Sequence, residues 1–194
     1  VPLPGISVRI VDADSGAALP AGQVGMIEVA GPNVFAGYWR MPDKTRAEFR
    51  ADGYFVTGDV GRFDEHGYLQ IVGRGRDLII TGGFNVYPRE VESEIDALPG
   101  VLESAVVGLP HAEFGEGVTA LVVRREAAAS AEPAPLLDEA GVLVRLKERL
   151  AGYKCPKRVL FLSELPRNTM GKVQKNMLRE TYRDLYAAGR GEQP

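Results

Sequence analysis

The sequence predicts an α+β protein, and three observations predict it. Up to about residue 75 the apolar residues fall in short β-branched runs separated by turn chemistry. Beyond residue 76, strand-like runs share the chain with apolar residues at helical spacing. The change falls at GRGRD (73–77), a glycine–arginine stretch that reads as a junction. The expected organisation is a β-rich unit over 1–75 and a compact α+β unit over 76–194.

The elements follow in order. ISVRIVD (6–12) and GMIEVA (25–30) read as strands, separated by the turn-forming DSGAALPAGQ. PDKTRAEF (42–49) suits a short helix, because proline is tolerated at a helix start, where its missing N–H costs nothing. YFVT and YLQIV read as hairpin strands around DEHG, whose Gly67 accepts positive φ. DLIITGG is a strand running into a glycine pair, and Pro88 opens a helix with Val91, Ile95 and Leu98 on one face. LESAVVGL and GVTALVVR are two more strands, and EAAASAEPAP (126–135) reads as a surface excursion. A helix carrying Val142, Leu143, Leu146 and Leu150, the strand RVLFL and a last helix over about 174–187 complete the chain. There are no internal repeats.

Bulk properties exclude several function classes. A hydrophobic share of 45% supports a buried core. A net charge of −3 argues against nucleic acid or an anionic membrane as the main partner. The single cysteine, Cys155, rules out an intramolecular disulfide and paired-cysteine zinc motifs. His66 and His111 show no metal spacing, so no metal site is expected. The absence of an apolar run of about 18 residues, and of a charged-then-apolar leader, sets a cytoplasmic expectation with no membrane span. The opening VPLPGISVRIVD begins almost directly in a strand and reads as a piece of something longer.

Three stretches can carry chemistry. In YFVTGD (54–59), Asp59 follows a glycine at a strand end, where a carboxylate can accept two hydrogen bonds from a vicinal diol. Turn capping is the plainer role for such an aspartate. In GRGRDLIITGGFNVYPREVE (73–92), Arg74 and Arg76 set cations beside glycines, and Gly82–Gly83 lets backbone approach a ligand. A solvated linker and a glycine turn are the plainer reading there. In LPRNTMGKVQKN (165–176), Lys172 follows Gly171 on a loop after a strand. An ammonium there can swing in to offset charge developing on phosphate and carboxylate oxygens. A solubilising surface lysine is the plainer alternative.

In this order the three stretches resemble the adenylate-forming enzymes: acyl-CoA synthetases, peptide-synthetase adenylation domains and luciferase-like enzymes. The resemblance covers essentially the whole chain, but only the C-terminal part of such an enzyme. It implies that 1–75 is the β-rich end of a large adenylating domain and 76–194 a mobile lid. The family's Tyr-x-x-Thr-Gly-Asp stretch implies that Asp59 holds the ATP ribose hydroxyls, and its Gly-Arg stretch implies that Arg74 lies against the nucleotide. Arg76 takes the hinge position, where aspartate or lysine is usual. Pro166, Gly171 and Lys172 match the loop of the adenylation lysine. LAGYKCPKRV (150–159) resembles the family's Leu-x-x-Tyr-Lys-x-Pro stretch.

The implied reaction joins a carboxylate and ATP to give an acyl-adenylate and pyrophosphate, then passes the acyl group to CoA. The lid is implied to rotate between the steps. That withdraws Lys172 and presents Gly82–Gly83 to the thiol channel, with Lys154 and Lys157 as cations for the CoA phosphates. Solvated surface cations are an equal reading of that cluster. Ile80 and Cys155 stand where relatives carry lysine and arginine. Magnesium and the acid pocket are implied to belong to the N-terminal domain, so the 194-residue chain alone is expected to make no adenylate.

GGFNVYPREVE and LPRNTMGKVQKN look most like malonyl-CoA synthetases, favouring malonate or methylmalonate, with medium- and long-chain fatty acids as the alternative. A carrier-loading adenylation domain is disfavoured by the ending RGEQP, soon after the last helix. A non-catalytic lid or regulatory binding module is the alternative of another class. A simple α+β binding domain, with Lys172 idle, is a third. An exposed Lys172 would also be open to a lysine acetyltransferase, which removes the charge.

Overall fold

A computed structural model describes residues 2–125 and 137–187. The chain divides into two compact units, Val1–Arg76 and Asp77–Pro194. The surface excursion expected at 126–135 lies outside the described residues.

The first unit is an antiparallel sheet in chain order: β1 (Ser7–Val11), β2 (Gly25–Ala30), β3 (Phe55–Phe63) and β4 (Leu69–Arg74). Between β2 and β3 lies α1 (Pro42–Glu48), with its proline in the first turn. Ile10, Val11, Ile27 and Val60 are buried. Phe35, Phe49 and Phe55 pack against one another with centroids 5.1–5.4 Å apart. Gly67 closes the β3–β4 turn at φ 77°, and Asp64 Oδ1 accepts from the His66 and Tyr68 amides, both at 2.9 Å.

β3 is longer than the expected YFVT. It continues through Gly58 and Asp59 and shifts register between Val60 and Gly61. A side chain at Gly61 would meet the Gln70 carbonyl oxygen at 2.5 Å, so glycine is what lets the bulged strand pair closely. Glu28 is buried on β2 and accepts from Arg9 Nε at 2.8 Å and Arg50 Nε at 2.7 Å. A buried carboxylate needs such partners.

The second unit has one sheet, made by β5 (Ile79–Thr81), β6 (Phe84–Val86), β7 (Val101–His111), β8 (Gly115–Arg124) and β9 (Arg158–Leu162). Its path runs β6-β5-β8-β7, and β9 pairs with β8 in parallel, from Thr119 opposite Arg158 to Val123 opposite Leu162. Among the described residues three α-helices serve it: α2 (Pro88–Asp96), α3 (Glu139–Lys147) and α4 (Lys175–Thr181). Asp138 caps α3, accepting from the Gly141 amide at 2.8 Å.

Side chains alternate across β7 and β8 and feed two cores. Val106, Val118, Ala120 and Val122 pack with Val91 and Ile95 of α2 and Val142 and Leu146 of α3. Ala105, Val107, Leu109, Leu121 and Val123 pack with Leu165 and with Leu178 of α4. Burial on both faces explains why ALVV (120–123) is continuously apolar instead of alternating with polar residues.

Two expectations change. The strand β6 was not foreseen: only three residues long, it carries a weak signal. The last helix, expected over 174–187, is α4 only as far as Thr181 and then gives way to turns. There Tyr186 donates or accepts a 2.8 Å hydrogen bond with Thr119 Oγ1. Its ring lies where a Gly117 side chain would sit, 2.6 Å from an ideal Cβ. Packing against β8 overrides the helical period. Cys155 is buried in the first core, and burial pushes its thiol above the ordinary range, so it is no activated nucleophile.

Candidate functional site

In the first unit, Asp59 and Arg74 sit opposite each other in the β3–β4 ladder. Arg74 Nε lies 2.8 Å from Asp59 Oδ1. The preceding residues build this geometry. Thr57 Oγ1 donates to the Ile27 carbonyl at 2.9 Å and accepts from the Asp59 amide at 3.0 Å. Gly58 adopts φ 75° with open space around it, so conformation and not crowding requires glycine there. The aspartate is therefore inside a kinked strand, not at the strand end that its sequence suggests.

Beside it lies a cleft of about 410 Å³, lined by Tyr38, Lys44, Glu48, Thr57, Gly58 and Arg74 among others, and by Arg76 at its margin. Tyr38 donates to Glu48, and Lys44 Nζ stands 4.1 Å from the Tyr38 ring centroid. This arrangement offers a fixed carboxylate beside cations, a chemistry suited to a phosphorylated polyol. Arg76 is exposed in a 3-10 turn over Gly75–Asp77, and the boundary between the compact units follows it directly.

In the second unit, Lys172 is exposed on a tight loop between Leu165 and α4. Asn168 Oδ1 accepts from the Met170 amide at 3.1 Å and the Lys172 amide at 2.9 Å. The Asn168 amide donates to the Lys172 carbonyl at 2.9 Å. Gly171 takes φ 77°, and Arg167 Nη1 donates to its carbonyl at 2.6 Å. Arg167 also pairs with Glu103 of β7. The glycine thus supplies a left-handed turn inside a bonded loop, not the loose swing expected of it. The asparagine is a determinant that sequence reasoning missed, although asparagine three residues before glycine is a turn signal.

Gly82 and Gly83 form the two-residue turn between β5 and β6, with φ of 56° and 81°. Two consecutive positive φ values suit a hairpin turn that matches strand twist. The Gly82 amide donates to the Phe114 carbonyl at 2.8 Å, and Lys157 Nζ stands 3.5 Å from the Phe114 ring centroid. Phe84 stacks on Tyr153 at 4.7 Å. Lys154, next to Tyr153, pairs with Glu90 at 2.6 Å, so its charge is partly offset. Tyr87 is held above the ordinary phenol range by burial, with Lys154 pulling it the other way. Ile80 is exposed.

The lysine loop and the Lys154 segment rise from opposite sides of one sheet. Leu165 and Val173 belong to the second core, Leu150 and Cys155 to the first. Among the described residues no group of three or more His, Cys, Asp or Glu could hold a metal ion. Among the described residues no helix is long and apolar enough to cross a membrane.

Residues 90–172 match the AMP-binding enzyme C-terminal domain. The chain carries the C-terminal domain of the AMP-binding, adenylate-forming enzymes. Its mixed fold, with largely antiparallel sheets and few helices, is that of the C-terminal region of those enzymes. It is 46% identical over 175 residues to the 3-[(3aS,4S,7aS)-7a-methyl-1,5-dioxo-octahydro-1H-inden-4-yl]propanoyl:CoA ligase of Rhodococcus jostii, covering 88% of this chain and 33% of that protein. It is 40% identical over 183 residues to a long-chain-fatty-acid–CoA ligase of Escherichia coli, covering 94% of this chain and 31% of that protein. Among solved structures, ATP-bound MatB from Rhodopseudomonas palustris is similar, with TM-score 0.86 and 64% identity over 95% of this chain and 35% of that one. The chain thus spans about a third of the length of the relatives it matches. Lys172 ends the matched segment.

Proposed function

We propose that this chain is the C-terminal portion of an AMP-forming acid–CoA ligase. The whole protein would convert a carboxylate and ATP to an acyl-adenylate and pyrophosphate, then transfer the acyl group to CoA with release of AMP. The observation that carries this reading is the bonded loop that holds an exposed Lys172 at the end of an AMP-binding enzyme C-terminal domain. In the first step the Lys172 ammonium offsets charge on the phosphate and carboxylate oxygens. Asp59 accepts from the ribose hydroxyls, oriented by Arg74, which itself faces the nucleotide. Residues 1–75 are the end of the large domain, and 76–194 a lid that turns about Arg76. The lid's other face brings Gly82–Gly83, Lys154 and Lys157 to the CoA channel in the second step. Magnesium is held by the large domain that precedes this chain in the protein.

Malonate or methylmalonate is the favoured acid, from the strings GGFNVYPREVE and LPRNTMGKVQKN and the 64% identity to MatB. A fatty acid is the second reading, favoured by the 40% identity to the long-chain ligase. Pyrophosphate exchange by the full-length protein with malonate, methylmalonate and octanoate separates them. Exchange with a dicarboxylate alone is the expected result, and exchange with octanoate alone would select the second reading. Exchange with none of the three would count against both.

An exposed Lys172 is also open to a lysine acetyltransferase, and acetylation removes its charge. Enzymatic acetylation confined to Lys172 is expected to abolish exchange while sparing thioester formation from supplied acyl-adenylate. Equal loss of both would reject that form of control.

A further inference from the structure

The loop that carries Lys172 is fastened at both ends by ion pairs that the reaction does not itself require. On the leading side, Arg167 pairs with Glu103 of β7. On the trailing side, Lys175 Nζ lies 2.6 Å from Glu92 Oε1. Glu92 is 6% exposed, and the same oxygen accepts the Val106 amide of β7 at 2.8 Å. β7 is an edge strand, so its outward amide needs a partner that the sheet does not supply. Glu92 fills that need and still holds an ammonium. The pair therefore reaches around the sheet edge and joins α2, on one face, to the first residue of α4, on the other.

One helical turn further along α4, Arg179 Nη2 donates to Asp77 Oδ1 at 2.9 Å. Asp77 is the first residue of the second unit, next to Arg76. Lys175 and Arg179 stand four apart and so share a face of the helix. α4 is thus tied by one residue to a buried carboxylate and by the other to the segment that leaves the junction.

We propose that Glu92, acting through Lys175, is a positioning residue that sets where Lys172 stands, and that Asp77–Arg179 registers the same helix to the junction. The proposal rests on the adenylation role given to Lys172 above. A buried carboxylate with one backbone donor fixed is a rigid anchor, because a shift of the ammonium would leave the charge unpaired. Lys172 lies three residues before Lys175, so the anchor restrains the loop and not merely the helix. Displacement of a catalytic group by about 1 Å can cost about 100-fold in rate.

The test uses the full-length protein that contains this chain, with Lys175→Met, Lys175→Arg, Glu92→Gln and, as the reference, Lys172→Ala. Lys175→Met keeps the side-chain stem and leaves the Glu92–Val106 hydrogen bond in place, so the fold has a route to survive. The expected result is that Lys175→Met lowers the maximal rate of pyrophosphate exchange by about 10- to 100-fold. KM for the acid should change little, thioester formation from supplied acyl-adenylate should persist, and Lys175→Arg should restore most of the exchange. Exchange near the wild-type rate in both Lys175→Met and Glu92→Gln, with Lys172→Ala inactive, would overturn the positioning role and leave the adenylation reading standing. Equal loss of both half-reactions in Lys175→Met, with a lowered melting temperature, would overturn it as a purely structural pair. Retained exchange in Lys172→Ala would instead overturn the reading on which it depends.

Discussion

Replacing Lys172 with alanine in the full-length protein is expected to lower pyrophosphate exchange by about 10²- to 10³-fold, the usual cost of removing one preorganised charge-stabilising group. The loss should appear in the maximal rate more than in KM for the acid, because in the proposed role the ammonium acts on charge that grows in the transition state. Glutamine at this position should do no better than alanine. Arginine should recover little, since its planar fork does not replace a compact ammonium. The loop itself should survive all three changes. Its fold depends on Asn168, Gly171 and Arg167, whose hydrogen bonds within the loop touch Lys172 only at its backbone. Pyrophosphate exchange over a range of acid concentrations checks the split.

The largest effect on stability is expected from Leu121→Ala. Leu121 is fully buried on β8, the strand that β7 and β9 flank, and it faces Leu165, Leu178 and the other members of the second core. Neighbours on the flanking strands are held by backbone ladders, so the space left cannot collapse freely. Removing a buried leucine in such a site costs about 2–5 kcal/mol. Denaturant unfolding followed by tyrosine fluorescence or circular dichroism would read it as a lowered midpoint at unchanged slope. Truncation at Leu146 in the first core is expected to cost a similar amount, but it should leave the contacts of the lysine loop intact.

Much of this fold was legible because its signals are local. GMIEVA and RVLFL match β2 and β9 residue for residue. β-branched runs bounded by glycine and proline needed no knowledge of their partners. The helix begun by Pro88 was legible from the spacing of Val91 and Ile95. What was not legible depends on pairing between distant segments. The parallel docking of β9 on β8 and the pairing of Asp59 with Arg74 follow from register, which no single stretch contains.

The same holds for the ion pairs. Glu92 reads as one more charge in REVESE, a solvated helix face, until β7 brings its unpaired amide and α4 its lysine. Glu28 looks exposed by alternation in GMIEVA, yet Arg9 and Arg50 enclose it. The strand end expected at Asp59 is not there, because the positive φ of Gly58 only kinks a strand that continues. Conversely, the hydrogen bonds from Arg167 and to Asn168 that fix the turn at Gly171 are not visible in the glycine itself.

The central claim is that one loop lysine serves one half-reaction and is dispensable for the other. Single-turnover thioester formation from supplied acyl-adenylate and CoA, by the full-length Lys172→Ala variant, tests it most directly. The expected rate equals that of the unaltered protein, beside an adenylation rate reduced by orders of magnitude. A thioester rate reduced in the same proportion would contradict it and place Lys172 in the general stability or substrate binding of the protein.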